Sequence, residues 1–327
     1  PFSDIFVRDL LAVTTTLVSV DSAGAQDLGP SVSPSVSSDG RYVAFQSEAD
    51  LVLPDNGFID IFVHDRDDDE DGTYDEVGSV STVRVSVDSA GSQGDNHSYS
   101  PSISSDGRYV TFESRSTNLV PGGSSGLIHI FVHDRDADGD GIYDDEDGSY
   151  DPGEVSTVQV SVDAAGTEGD AGSSAPSISA DGRYVAFASS ATNLVPGGSS
   201  GLIHIFVHDR DADGNGIYDD EDGSYDPGEV SAVQVSVDSD GVEGNGNSNN
   251  PSISADGKSV IFESDADNLL GVGNDNNVAP DIFADDLQTG AGGDESDGDG
   301  NSGSGCFIST AADGRQARGR GETARRR

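Results

Sequence analysis

One phrase recurs along the chain and restricts what it can fold into. PSVSSDGRYVAFQS (34–47) returns as PSISSDGRYVTFES (101–114), PSISADGRYVAFAS (176–189) and PSISADGKSVIFES (251–264), at intervals of 67, 75 and 75 residues. Two shorter phrases keep step with it. DIFVRD (4–9) returns as DIFVHD (60–65), HIFVHD (129–134 and 204–209) and DIFADD (281–286). TLVSVDS (16–22) returns as VRVSVDS (83–89), VQVSVDA (158–164) and VQVSVDS (233–239). A period of this size means repeated units, each unable to bury its apolar face without a neighbour.

The phrases predict strands. Ser-Ile-Ser alternates polar and apolar residues, as a half-buried strand does. Tyr-Val-Ala-Phe, Ile-Phe-Val and Val-Ser-Val are β-branched or aromatic, and an Asp-Gly pair such as Asp106-Gly107 joins the first two by a tight hairpin. The predicted order is A (Ser-Ile-Ser), B (Tyr-Val-Ala-Phe), C (Ile-Phe-Val) and D (Val-Ser-Val), and no segment sustains a helical period. Only 33% of the residues are apolar and Trp and Met are missing, which suits many thin layers better than one thick core. Four antiparallel strands repeated radially predict an all-β chain, a β-propeller of four-stranded blades.

The repeated elements S-x-D-G-R-Y-V-A-F, N-L-V-P-G, D-I-F-V-x-D and V-S-V-D-x-x-G resemble the TolB-like propeller repeats of bacterial surface and periplasmic proteins. The resemblance covers about residues 1–290 and implies a binding or scaffolding propeller. Units 31–90, 98–165 and 173–240 are complete blades, whereas 1–22 (C-D) and 250–288 (A-B-C) are partial. Either the partial units close a small ring with one C strand spare, or the chain is a fragment of a larger propeller. The start at Pro1, inside a repeat, favours the fragment. The propeller occupies 1–289, and 290–327 reads as a Gly/Ser/Asp linker with a tail.

Between strands C and D, three units carry acidic insertions: 65–79, 134–154 and 209–229. The N-terminal unit has only DLLAVTT there, so a blade forms without the insertion. Asp136, Asp138 and Asp140 fall at positions 1, 3 and 5 of a calcium loop, with Gly141 at 6, the Ile142 carbonyl at 7, Asp144 at 9 and Asp147 at 12. The third insertion repeats the pattern with Asp211, Asp213, Asn215, Ile217, Asp219 and Asp222. The first supplies Asp67, Asp69, Asp71, Thr73 and Asp75, but Gly78 stands at position 12, so this is the weakest set unless Glu76 substitutes. A second ion has a register at Asp145, Asp147, Ser149 and Asp151. Without flanking helices the loops resemble those of dockerins and thrombospondin type-3 repeats. Clustered carboxylates repel, and a hard cation taking 6–8 oxygens removes that repulsion, so the expected cofactor is Ca2+ rather than magnesium, with its stricter octahedral demand. The alternative is a solvated acidic loop.

The net charge is −45, from 61 acidic and 16 basic residues, which excludes general nucleic-acid binding. No run approaches the length of a membrane span, and a single cysteine, Cys306, precludes an intrachain disulfide. His129/His133 and His204/His208 share a strand face and could hold a transition metal. The variable equivalents, such as Asp60/His64, favour a structural role instead. The Asp-Gly turns (Asp39, Asp106, Asp181, Asp256) lack the spacing and Trp of a sialidase Asp-box. No nucleophile elbow or paired carboxylates mark a catalytic centre, so no enzyme is expected. The tail GSGCFISTAADGR (303–315) resembles a CFI-box sorting element through Cys306, Phe307, Ile308, Ser309, Thr310, Ala311 and Ala312, then departs into a basic stretch ending at Arg327. Together these features predict an extracellular, cell-surface or periplasmic bacterial calcium-binding scaffold or adhesion module. Its expected partners are protein or surface polymer, with self-association as a further mode. The alternative is a lectin or hydrolase using the propeller channel.

Overall fold

The computed structural model describes residues 2–144, 153–219, 230–271 and 279–287. Every regular element among them is a strand. The first sheet pairs β1 (Phe6–Asp9) with β2 (Thr14–Leu17). Three four-stranded sheets follow: β3 (Ser31–Val36) to β6 (Ser81–Arg84), β7 (Ser98–Ile103) to β10 (Ser156–Gln159), and β11 (Ser173–Ile178) to β14 (Ser231–Gln234). The last contains β15 (Ser248–Ile253), β16 (Ser259–Ser264) and β17 (Asp281–Asp286). Each pairs sequential neighbours antiparallel, which is the A-B-C-D blade expected from the repeat. The partial units stay as separate sheets rather than merging into one blade.

The core is not one centre but a series of layers between consecutive sheets. Ala44, Ile61, Val63 and Val85 of the first complete blade meet Ile103, Val110, Phe112 and Phe131 of the second. Ile130, Val132 and Val160 of the second meet Ile178, Val185, Phe187 and Phe206 of the third. The third packs likewise on Ile253, Val260, Phe262 and Phe283. The third strand of each complete blade, β5 (Asp60–Asp65), β9 (His129–Asp134) and β13 (His204–Asp209), therefore buries both faces, one toward each neighbour. Burying a Phe or Ile fully contributes roughly 1.5–3 kcal/mol, so stacking supplies the main stabilisation.

Two strand readings shift. Strand D was expected at Val-Ser-Val, but its ladder lies just before, at Ser81–Arg84, Ser156–Gln159 and Ser231–Gln234. Beyond it the buried Ser86, Ser161 and Ser236 accept the amide hydrogens of Ile61, Ile130 and Ile205 through Oγ at 3.1, 3.1 and 3.0 Å. A side chain replaces a ladder partner there. Strand A runs longer than Ser-Ile-Ser and carries a bulge next to its proline, with Ser33, Ser100, Ala175 and Asn250 in the left-handed region.

The Ser-x-Asp-Gly phrase is a hydrogen-bonded turn. Ser104 Oγ donates to Asp106 Oδ1 at 2.6 Å, and Asp106 Oδ1 accepts from Arg108 N at 3.0 Å. The turns are also tied across blades, with Ser38 N donating to Ser105 O and Ser105 N to Ala180 O. Gly107, at φ +85°, lies against the Tyr42 ring of the preceding blade, and a Cβ there would collide with it. The glycine is required twice, by dihedral and by contact.

Candidate metal-binding loops

The C–D insertion emerges beside this turn. Its second residue is an arginine, and the arginine occurs only where the insertion does. Arg66, Arg135 and Arg210 are replaced by Leu10 and Leu287 in the units without it. Arg135 is buried, donates Nη1 to Gly107 O at 2.8 Å, and pairs with Asp144 Oδ2 at 2.5 Å. Arg66–Asp75 and Arg210–Asp219 repeat the pair at 2.6 Å. Asp75, Asp144 and Asp219 adopt left-handed φ values of 66°, 59° and 54° to face it. The side chains expected at loop position 9 thus each have an arginine partner. Asp144 and Asp219 make the pair through Oδ2 alone, and Asp219 Oδ1 is buried without a hydrogen-bond partner. Spacing alone missed this, and the signal was the arginine's restriction to insertion-bearing units.

The guanidinium also reaches the preceding blade. Arg135 lies 4.7 Å from the Tyr42 ring centroid and 5.1 Å from its own loop's Tyr143, whose ring sits 5.4 Å from Tyr42. Arg210, Tyr218 and Tyr109 repeat the clasp. Each pairing of this type contributes about 0.5–2 kcal/mol.

Positions 1, 3 and 5 do converge. One carboxylate oxygen from each of Asp67, Asp69 and Asp71 lies within 4.8 Å of the others, and so for Asp136, Asp138 and Asp140. Position 1 is buried and positions 3 and 5 are exposed in both groups. Asp136 Oδ1 accepts the Gly141 amide at 3.1 Å, and Asp211 Oδ1 accepts that of Gly216 at 3.2 Å. Asp67 receives Gly72 at 3.1 and 3.3 Å. Gly72, Gly141 and Gly216 turn at φ +86°, +89° and +85°. Position 5 closes each turn by accepting from position 7: Thr73, Ile142 and Ile217 donate to Asp71, Asp140 and Asn215 at 2.8, 2.9 and 2.6 Å. Asp147 and Asp222, the second-ion register and the Cys306 element lie outside the described residues.

A second arginine borders position 1. Arg108 and Arg183 hold Asp134 and Asp209 bidentately and place Nη1 3.6 and 3.3 Å from Asp136 and Asp211 Oδ2. In the first loop Arg41 turns to Glu70 at 3.0 Å.

The paired histidines are parts of the blade. Thr157 Oγ1 donates to Val87 O at 2.6 Å, so its bond with His133 Nδ1 at 2.8 Å has the imidazole as donor. His64 and Thr82 repeat this with Val20 O. Burial lowers His64 and His133 to about 4 and His208 to about 3. His129 and His204 contact Ser161 and Ser236 through Nδ1, with Ser125 and Ser200 at Nε2. In the first complete blade Asp60, raised to about 6 by burial despite Arg84 at 2.9 Å, takes the His129 position, and Arg84 takes that of Gln159. Among the three complete blades the two positions change together.

No family model and no curated relative matches the chain. Solved structures similar to it include TolB from Acinetobacter baumannii (15% identity, TM-score 0.41, 87% of this chain and 46% of that one). They also include the tricorn protease (12%, 0.44, 85% and 23%). A third is the β-propeller domain of the Trilobed protease from Pyrococcus furiosus (9%, 0.37, 80% and 56%). The chain therefore spans under half the length of the first two. Likenesses this distant carry no function across, and the blade assignment stands on the pairing and packing above.

Proposed function

We propose that this chain is a calcium-binding β-propeller module, a non-catalytic scaffold whose acidic loops are ordered by the ion. The convergence of Asp136, Asp138 and Asp140 carries the reading, with the equivalent Asp67, Asp69 and Asp71 beside it. Like charges held this close repel at several times the thermal energy at a protein surface, and a hard dication reverses the sign. Oxygen ligands alone, on a backbone that turns at glycine, suit calcium's flexible coordination. The net charge of −45 adds a long-range attraction for divalent ions.

Secretion, or placement at the cell surface or in the periplasm, fits millimolar ambient calcium. A protein or surface-polymer partner would meet the row of loops on the A–B turn side of the blades. No helix among the described residues is long and apolar enough to cross a membrane. Calorimetric titration of calcium into chelator-treated protein tests the proposal. Saturable heat that disappears in a variant carrying Asp67→Asn, Asp69→Asn, Asp136→Asn, Asp138→Asn, Asp211→Asn and Asp213→Asn supports it, and an absence of heat from the parent protein refutes it.

A further inference from the structure

The third loop contains an Asn-Gly step where the second has Asp-Gly, and its surroundings are those of a cyclisation site. The Gly216 amide donates to Asp211 Oδ1 at 3.2 Å, so a carboxylate base already holds the proton that must leave the nucleophilic nitrogen. The Ile217 amide donates to Asn215 Oδ1 at 2.6 Å, where negative charge develops when the side-chain carbonyl is attacked. Asn215 Nδ2, the departing nitrogen, donates to Asp213 Oδ2 at 2.9 Å. Asn215 is exposed, and a Cβ on Gly216 would have nothing within 4 Å, so neither burial nor a neighbour blocks approach.

We propose that Asn215–Gly216 is a self-modification site, at which the loop deamidates its own position-5 ligand when no cation occupies it. Gly216 N passes its proton to Asp211 and bonds to Asn215 Cγ. The Cγ–Nδ2 bond then breaks, and the nitrogen leaves as ammonia after collecting that proton through the carboxylates. The resulting five-membered imide is opened by water at either carbonyl. Opening at the main-chain carbonyl carbon gives an isoaspartyl link, which inserts a methylene into the backbone between positions 5 and 6. Opening at Cγ gives an aspartyl residue, and the third loop then carries the ligand set of the second.

Two other Asn-Gly steps lie among the described residues. At Asn245–Gly246 the side-chain amide is tied to Asp267, Nδ2 to Oδ1 at 2.6 Å and Oδ1 from N at 3.0 Å, and a Cβ on Gly246 would meet the Asp265 backbone at 2.6 Å. Asn56–Gly57 is the more open internal reference. Gly57 N also donates to an aspartate, Asp55 Oδ1 at 2.5 Å, and each aspartate has an arginine beside it, Arg84 at 2.8 Å from Asp55 and Arg183 at 3.3 Å from Asp211. The two steps differ instead at the departing nitrogen. Asn56 Nδ2 is held by the carbonyl of Gly94 at 2.7 Å, which cannot relay a proton. The cation gate, unlike the cyclisation, rests on the calcium reading. A bound ion would engage both Asp211 and Asn215 Oδ1, removing the base and fixing the electrophile.

The test is peptide mapping by mass spectrometry during incubation of the 1–327 chain in mildly alkaline buffer, with chelator or with calcium. Denatured chain gives the intrinsic Asn-Gly rate. With chelator, Asn215 is expected to convert several-fold faster than Asn56 and faster than in denatured chain. Asp211→Asn should remove that advantage without altering Asn56, and calcium should slow Asn215 several-fold. Conversion at Asn215 no faster than at Asn56 or in denatured chain overturns the proposal. Equal rates with and without calcium overturn the gate alone. Calcium heat without protection locates the failure in the gate, and the absence of both protection and calcium heat locates it in the calcium reading.

Discussion

Residues 117–163 and 192–238 are the same sequence except at two places: Asp140 against Asn215, and Thr157 against Ala232. One difference removes a charge from the candidate ion site, and the other removes a hydroxyl from the outer strand. In the second blade Thr157 joins His133 to Val87 O, and its amide donates to Ser89 Oγ at 3.0 Å. In the third, Ala232 and Ala164 stand at the matching positions, neither with a hydroxyl, and both ring nitrogens of the buried His208 lack a partner. The clasp of arginine, aspartate and tyrosine is identical in both. What the repeats share is the fastening of loop to blade, and what they vary is ion charge and rim closure.

The shared clasp offers the largest effect. Arg210→Met leaves Asp219, 5% exposed, without its counter-charge and is expected to cost about 3–5 kcal/mol of unfolding free energy in denaturant titration. Arg135→Met should match it, and a near-neutral result in either would show that the pair is not what holds the loop.

Acid comes next. Both buried histidines have folded-state values below the ordinary 6.5, to about 4 and about 3. The unfolded chain therefore binds the extra protons. Stability is full above about pH 6.5 and falls as pH drops from there toward 4, where His133 finally protonates, and on toward 3 for His208. His208→Gln and His133→Gln should each flatten that slope in denaturation midpoints followed against pH. Curves superimposable on the parent would refute the assignment.

At the ion site, Asn215→Asp should raise calcium affinity of the third loop roughly tenfold, about 1.4 kcal/mol, and Asp140→Asn should lower the second by as much. Calorimetry would then show two matching sites in either variant. The smallest effect belongs to the rim. Ala232→Thr gives His208 a hydroxyl and the Val162 carbonyl a donor, and should add about 1 kcal/mol to stability. Thr157→Ala should remove about as much, and no change in either would detach the hydroxyl from the histidine.

Strand order was legible because each phrase recurs, so local patterns could be checked against one another. Val-Ser-Val misplaced strand D because its inward valines read as a ladder, while the buried serine hydroxyl had already replaced one ladder bond. Position 9 was read only in part for a related reason. Asp144 has the spacing of a ligand, but spacing says nothing of Arg135 folding back on it. The collision of a Gly107 side chain with Tyr42 lies between residues far apart in the chain, so no local window contains it. The absence of the arginine from DLLAVTT and DDLQT was visible in sequence and marks the clasp.

Because Tyr143 and Arg135 of one blade rest on Tyr42 of the blade before it, the units overlap like roof tiles laid in one direction. Lifting the last tile uncovers Tyr184 but leaves every earlier clasp closed, whereas prising the first complete blade away breaks a clasp belonging to its successor. Under mechanical load each seam between complete blades should therefore give way only when its arginine lets go of the tyrosine beneath it, whichever side is pulled.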